Sequence, residues 1–104
     1  MTLTIQLAKD FGDFLADGEK AAAFRFSHID PFVHSHDRIV LDFLGVRNLN
    51  SSFANALIAN LVSQSPEALQ KLHFANCNAR VRVLVESALA LGVGKLRGKN
   101  FEIA

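Results

Sequence analysis

Two adjacent serines, Ser51 and Ser52, are the side chains of this sequence best placed for chemistry. They follow the apolar stretch RIVLDFLGV after a short polar link, and they precede a run of small and apolar residues with helical spacing. This order predicts that the pair lies in the first turn of a helix, where backbone N–H groups have no intrahelical partner. A hydroxyl there can cap the helix, and it can also accept a phosphate from a kinase. Both roles need the same geometry, so the sequence leaves both open.

Asp42 is a carboxylate inside the apolar strand predicted at residues 39–44. An unpaired carboxylate in such a place is costly. We therefore expect Asp42 to support the structure by accepting hydrogen bonds from loop N–H groups or serine hydroxyls, which would hold the turn at residues 45–50. Binding a cation or steering phosphate transfer is the alternative chemistry.

The histidines and the single cysteine do not follow a metal-binding or catalytic pattern. Zinc needs three or four convergent ligands, and the His-x-His pair at 34 and 36 has no second motif of suitable spacing. No set of nucleophile, base and orienting group is legible either, so we expect no metal, no cofactor and no enzymatic activity. A metal site would have to be built from His28, His34, His36, Asp37, His73 and Cys77. An enzyme would have to use Asp42, His73 or Cys77.

The elements that must position these residues are predicted from hydrophobic periodicity. We expect one α/β domain over residues 1–104, with about four strands and about three helices in the order β-α-β-α-β-α-β. The sheet should be mostly parallel or mixed, with residues 2–8 as the candidate exception to parallel pairing. Helices are expected from Asp17 as N-cap to about residue 29, at 51–64 and at 81–91, and strands at 2–8, 39–44, 69–74 and 101–103. The segment at 92–99 is interpreted as a basic turn that begins with a helix-terminating Gly92.

Composition limits the class of protein. The chain has 104 residues, a formal net charge of +1, nine phenylalanines and neither tryptophan nor tyrosine. This favours an apolar core over a nucleic-acid-binding surface. No apolar run approaches the ~20 residues of a membrane helix, and Met1 begins no recognisable secretion leader. With one cysteine, which excludes an internal disulfide, the expectation is a cytoplasmic protein that binds neither nucleic acid nor membrane.

The stretch IVLDFLGVRNLNSSFANAL, residues 39–57, resembles the signature of STAS domains, the fold of anti-sigma-factor antagonists. That signature reads hydrophobic-LDL-x-x-V-x-x-x-D-S-S-G-L. Asp42 and Val46 match it, as does the serine pair, whereas Asn50 stands in place of the aspartate and Phe53 in place of the glycine. The Ser-Phe-Ala form, the LDF-x-G-V strand, and Gly18 and Arg25 upstream are most similar to a bacterial STAS-like family of unknown function.

The resemblance implies a STAS-like α/β fold and a regulatory protein-interaction module without catalysis. In anti-sigma-factor antagonists a partner serine kinase of the GHKL ATPase fold phosphorylates the second serine, so Ser52 becomes the candidate acceptor and Ser51 its neighbour. The alternative is a stoichiometric inhibitor or immunity-type protein that blocks a toxin or enzyme. Neither the partner's identity nor the oligomeric state follows from the sequence. Partner contacts are expected from the surrounding loop and helix, at Arg47, Asn48, Asn50, Phe53 and Asn55.

Overall fold

Parallel strands form two small sheets in this chain. The computed structural model describes the backbone of residues 1–102 and the side chains of residues 1–96. The strands are β1 (Thr2–Gln6), β2 (Phe14–Leu15), β3 (Arg38–Asp42), β4 (Asn48–Leu49) and β5 (Leu72–Ala75). The main sheet has three strands in the order β1-β3-β5, and a second sheet pairs β2 with β4. Every strand pair in the described residues is parallel, so the candidate exception at residues 2–8 is wrong.

Six α-helical segments connect and follow the strands in residues 1–102. They are α1 (Leu7–Phe11), α2 (Gly18–His28), α3 (Ser51–Ala54), α4 (Asn60–Gln64), α5 (Ala68–Lys71) and α6 (Ala79–Glu102). A 3₁₀ turn, Asp30–Phe32, follows α2, and a π-helical turn, Asn55–Ala59, joins α3 to α4. Both joints have right-handed helical backbone angles, −60° and −41° at Ala54 and −60° and −44° at Ala59. Residues 51–64 therefore form one continuous helix with a π turn in it, here called the central helix.

The main sheet buries one face. Its register aligns Ile5 with Leu41 and Phe74 on one face, and Thr4 with Val40 and His73 on the other. Ile5 and Leu41 are buried, whereas Thr4 and His73 are exposed. The nearly continuous apolar run at 39–44 is typical of a strand covered on both faces, but here only one face is covered. Alternate residues of β3 face the helices, and the others remain partly open to solvent.

The central helix supplies much of the core and packs against α2 and α6. Its crossing with α6 is close at Gly92, where an added Cβ would lie 2.8 Å from the carbonyl oxygen of Ala59. Such a short approach is possible because glycine has no side chain. The largest fully buried side chains of the central helix are Phe53, Leu57, Ile58, Leu61 and Val62.

The first predicted helix is present, with a different buried face. Asp17 caps α2 as expected, because its Oδ1 accepts hydrogen bonds from the N–H groups of Glu19 (3.0 Å) and Lys20 (3.1 Å). Phe26 recurs at helical spacing with Ala22 and Ile29, a pattern typical of a core-facing stripe, but its side chain is 73% exposed. Arg25 is buried instead, whereas Ile29 is buried as this pattern indicates. The contacts that make this possible are described below.

The carboxyl-terminal third differs most from the expectation. The helix predicted at 81–91 is confirmed, but α6 continues through Gly92 and Gly94 to Glu102. The basic turn at 92–99 is therefore helical, and of the strand expected at 101–103, residues 101 and 102 belong to α6 while Ile103 lies outside the described residues. The first half of the strand expected at 69–74 is occupied by α5. Glycine often ends a helix, so the sequence suggested that this helix ends at Gly92. In the structure Gly92 lies inside α6, because the close approach to Ala59 leaves no room for a side chain.

Candidate functional site

The serine pair lies where two strand-to-helix connections meet. In the second sheet, β2 leads through Asp17 into α2, and the parallel β4 leads through Asn50 into the central helix. Asn50 links the two connections. Its N–H donates to the carbonyl oxygen of Leu15 at 3.0 Å, and its Nδ2 donates to that of Ala16 at 2.8 Å. The first turns of both helices are therefore held side by side.

Asn50, and neither serine, caps the central helix. Its Oδ1 accepts a hydrogen bond from the N–H of Phe53 at 2.9 Å, and its carbonyl oxygen accepts one from the N–H of Ala54 at 3.1 Å. Asn is among the residues that stabilise a helix most at this position. Ser51 and Ser52 follow as the first two helical residues, and both are exposed. The capping role that the sequence left open for the serines thus belongs to the residue before them.

The Ser52 hydroxyl lies against the first residue of α2. A Cβ built on Gly18 would be 2.3 Å from Ser52 Oγ and 3.1 Å from the Ser52 carbonyl oxygen. Glycine at position 18 therefore leaves the space that this hydroxyl occupies. The Ser52 side chain is consequently adjacent to the amino-terminal ends of two helices at once.

The electrostatic field at Ser52 has two opposing contributions. Helix amino termini carry a partial positive charge, which favours an anion. The start of α2, however, carries two carboxylates, from the N-cap Asp17 and from Glu19 in the first turn. The negative charge of Asp17 is partly offset by the two N–H groups that donate hydrogen bonds to it. An anion placed on Ser52 would be stabilised by the helix ends and repelled by these carboxylates.

Asp42 holds the loop that leads towards the serines. Its Oδ1 accepts hydrogen bonds from Asn76 Nδ2 at 2.9 Å and from the N–H of Leu44 at 3.0 Å. The Asn76 amide and then the Leu44 N–H lower the pKa of the Asp42 carboxyl below its ordinary value of 3.8. Asp42 thus accepts one loop N–H, as expected, but that N–H lies at residue 44, before the turn at 45–50, and the second donor is the Asn76 side chain and not a serine hydroxyl. The sequence did not identify Asn76 as its partner, because that residue is 34 positions further on.

The residues expected to contact a partner separate into two groups. Arg47 and Asn48 line an open groove of about 840 Å³, here called the arginine groove. Asn50 and Asn55 are half-buried in or beside the central helix, and Phe53 is fully buried. The expectation that Phe53 contacts a partner is therefore wrong, because its ring belongs to the core. The other residues that line the arginine groove are Asp13, Phe14, Gly45, Val46, Asn78, Ala79 and Arg80.

Hydrogen bonds fix the backbone of the arginine groove. The N–H groups of Arg47 and Asn48 donate to the carbonyl oxygen of Asp13, at 2.7 and 3.3 Å. Asn78 Nδ2 donates to the carbonyl oxygens of Val46 and Arg47, at 3.3 and 3.0 Å. The Oδ1 atom of Asn78 accepts from the N–H of residue 81 at 2.9 Å, so the same side chain caps α6. An asparagine just before an apolar helical pattern is an N-cap signal that identifies this residue in retrospect.

Arg25 is a buried residue whose contacts the sequence did not reveal. Its Nη1 donates to Asp30 Oδ2 at 2.7 Å and to Gln64 Oε1 at 3.1 Å, and its Nε donates to the carbonyl oxygen of Ala56 at 3.0 Å. Ala56 lies in the π turn of the central helix. Asp30 Oδ1 is buried without a hydrogen-bond partner among the described residues. Arg25 therefore connects α2 to the π turn and to the carboxyl-terminal end of the central helix.

The other chemical groups considered in the sequence do not converge. Among the described residues there is no group of three or more His, Cys, Asp or Glu side chains able to hold a metal ion. His34 contacts Glu67, and His36 contacts Ser35 and the carbonyl oxygen of Phe32. Burial raises the pKa of the Cys77 thiol, which disfavours the reactive thiolate. A helix long and apolar enough to cross a membrane is likewise not found in this part of the chain.

Comparison with known families matches residues 20–82 to a family described as a STAS-like domain of unknown function. The match includes most of α2, the strand β3, the serine pair, the whole central helix, and β5. It ends within the first turns of α6. Comparison with curated proteins and comparison with solved structures give no significant match.

Proposed function

Because the chain belongs to the family of STAS-like domains of unknown function, we propose that it is a regulatory protein-interaction module with no catalysis of its own. It acts in the cytoplasm and binds a protein partner through the surface around Ser51 and Ser52. One observation carries this proposal: both serines are exposed at the start of the central helix, while Asn50 provides the cap. Their hydroxyls are therefore available for chemistry that the fold does not need.

The proposed partner is a GHKL-type ATPase or serine kinase that phosphorylates Ser52. The likeness to anti-sigma-factor antagonists supports this assignment, since the second serine of their pair is the acceptor. The geometry supports it too, because Ser52 lies beside the starts of two helices, which favour an anion. A phosphate would add about −1.5 to −2 charges to a surface that already carries Asp17 and Glu19. The phosphorylated surface would then repel an acidic partner.

The two departures from the STAS signature are compatible with this proposal. Phe53 replaces a glycine, but its ring is fully buried and leaves the surface beside the serines open. Asn50 replaces an aspartate, yet it caps the helix with its Oδ1 and adds an Nδ2 donor to Ala16. Neither substitution therefore removes access to Ser52.

Intact mass spectrometry after incubation with ATP and a GHKL-type ATPase or serine kinase from the same genome tests the proposal. We expect one added phosphate on the wild-type chain, none on Ser52→Ala, and one on the matched control Ser51→Ala. The two serines are adjacent and both exposed, so this pair of variants separates the acceptor from its neighbour. A wild-type chain that remains unmodified, or a Ser52→Ala variant that still gains the phosphate, would contradict the assignment.

A further inference from the structure

We propose that the arginine groove binds an acidic segment of the partner protein. This inference rests on the proposed function and deepens it, because it names the chemistry of the partner's contact. The groove carries two guanidinium groups, from Arg47 and Arg80, and one carboxylate, from Asp13, so its formal charge is +2 − 1 = +1. The arginines come from different elements, the loop before β4 and the first turn of α6.

Arg47 is free to engage a partner. Its Nη1 is 3.9 Å from Asp13 Oδ2, and the two side chains are 84% and 63% exposed. Ion pairs of such length and exposure contribute little stability. The Arg47 backbone, in contrast, is fixed by the contacts to Asp13 and Asn78 described above. An exposed charged side chain on a fixed backbone is suited to capture a carboxylate, for which the planar guanidinium offers paired donors.

The side of the groove formed by α6 is also positively charged. Arg80 is the second residue of α6, a helix of 24 residues whose amino terminus adds partial positive charge. Asn78 Oδ1 accepts a hydrogen bond from the N–H of residue 81. This cap does not use the N–H groups of the first two helical residues, which lie at the groove end of α6. The side chain and the helix end therefore both favour a negatively charged ligand.

The shape and the other side chains favour a protein segment over a small phosphate ligand. Phe14 exposes 55% of its surface at the groove, and an apolar residue of the partner can cover it. Asp13 would oppose a doubly charged phosphate more strongly than a single carboxylate. An open groove of about 840 Å³ also encloses a small molecule less than ligand pockets usually do. These features together favour a partner segment in which carboxylates alternate with apolar side chains.

The location of the groove explains how Ser52 would regulate this contact. Asn48 lines the groove, and Ser51 lies three residues further along an extended segment. At a rise of about 3.3 Å per residue, Ser51 is about 10 Å from Asn48, and Ser52 is one helical residue further. A phosphate on Ser52 would therefore act from slightly beyond the Debye length of about 8 Å in physiological salt, and its repulsion would weaken the binding of the acidic segment most at low ionic strength.

NMR titration of the ¹⁵N-labelled full chain tests the proposal with two probe peptides, acetyl-ELEELE-amide and its neutral counterpart acetyl-QLQQLQ-amide. We expect the acidic probe to cause saturable shifts at the amides of Arg47, Asn48, Ala79 and Arg80, and the neutral probe to cause none. Loss of charge-assisted contacts should weaken binding by about tenfold or more in Arg47→Gln/Arg80→Gln. The matched control is Arg82→Gln, since Arg82 pairs with Glu86 on α6 outside the groove.

Four results would overturn the proposal: no saturable shift with the acidic probe, equal shifts with the neutral probe, undiminished binding by the double variant, or tighter binding of inorganic phosphate to the same amides. Circular dichroism of each variant verifies folding. The two proposals fail separately. Loss of Ser52 phosphorylation with intact peptide binding refutes the kinase partner, whereas normal phosphorylation without peptide binding refutes the acidic segment.

Discussion

Replacing Gly92 by alanine should destabilise the chain, although alanine is the better helix former. A Cβ at this position would meet the Ala59 carbonyl oxygen at 2.8 Å, the Ala59 Cα at 3.1 Å and the Val62 Cβ at 3.1 Å. Two of these atoms are backbone and the third is the branch point of a buried side chain. None of them can move without shifting the central helix against α6.

Gly94, two residues further along α6, provides the matched control. A Cβ there has no neighbour within 4 Å, so Gly94→Ala should gain only the helix propensity. That gain is about 0.8–1.0 kcal/mol for a glycine in a helix interior. Gly92→Ala has the same gain but must also accept overpacking, which costs about 1–3 kcal/mol. We therefore expect Gly94→Ala to be more stable than Gly92→Ala by about 1–3 kcal/mol.

Urea unfolding followed by far-ultraviolet circular dichroism measures this difference, since the chain has no tryptophan or tyrosine to report by fluorescence. The expected order of stability is Gly94→Ala first, wild type second and Gly92→Ala last, with Gly92→Ala about 0–2 kcal/mol below wild type. Equal stabilisation by both substitutions would refute the close crossing of the central helix and α6. So would Gly92→Ala being the more stable variant of the two.

Three further predictions concern Arg25, Asn50 and Asp42. Arg25→Met should lower the free energy of unfolding in urea by about 3 kcal/mol, because it leaves the half-buried carboxylate of Asp30 unpaired. Adding Asp30→Asn should recover part of this loss, and full stability of the single variant would contradict a stabilising role for the ion pair. Asn50→Ala should lower the free energy of unfolding by about 1 kcal/mol because it removes the helix cap, whereas Ser51→Ala should change it much less. A larger loss for Ser51→Ala than for Asn50→Ala would place the cap on the serine. Because hydrogen bonds lower the pKa of Asp42 in the folded chain, its stabilisation is complete above the ordinary value of 3.8 and is lost as the pH falls through the folded pKa. Asp42→Asn should therefore lose less stability than wild type when unfolding is compared at about pH 5 and about pH 2, and identical losses would rule out this linkage.

Local patterns in the sequence predicted the serine site well. An apolar strand, a polar link with Asn50 and a run of small residues specify a helix start within about ten neighbouring positions, because capping and helical periodicity are short-range effects. The placement of Ser51 and Ser52 in the first helical turn followed from these effects and agrees with the structure. The choice of cap did not, because Asn and Ser have similar capping preferences.

Long-range contacts decided what the sequence did not predict. Arg25 is buried because acceptors 5, 31 and 39 positions away surround its guanidinium group, and no periodic pattern contains that information. The strands β2 and β4 have two residues each, which is too short for an alternating pattern to be visible. They nevertheless bring Asp13 and Phe14 next to Arg47 and so create the arginine groove.

The pairing of β2 with β4 also bears on which part of the chain can be studied in isolation. The family match begins at residue 20, but Gly18, the Leu15 and Ala16 carbonyl acceptors and the whole of β1 precede it. A fragment trimmed to residues 20–82 would lose an outer strand of the main sheet, one strand of the second sheet and most of α6. Alignments and expression boundaries for related chains should therefore extend upstream of the recognised segment. The residues that contact Ser52 and Asn50 from the α2 side, namely Leu15, Ala16 and Gly18, are encoded there.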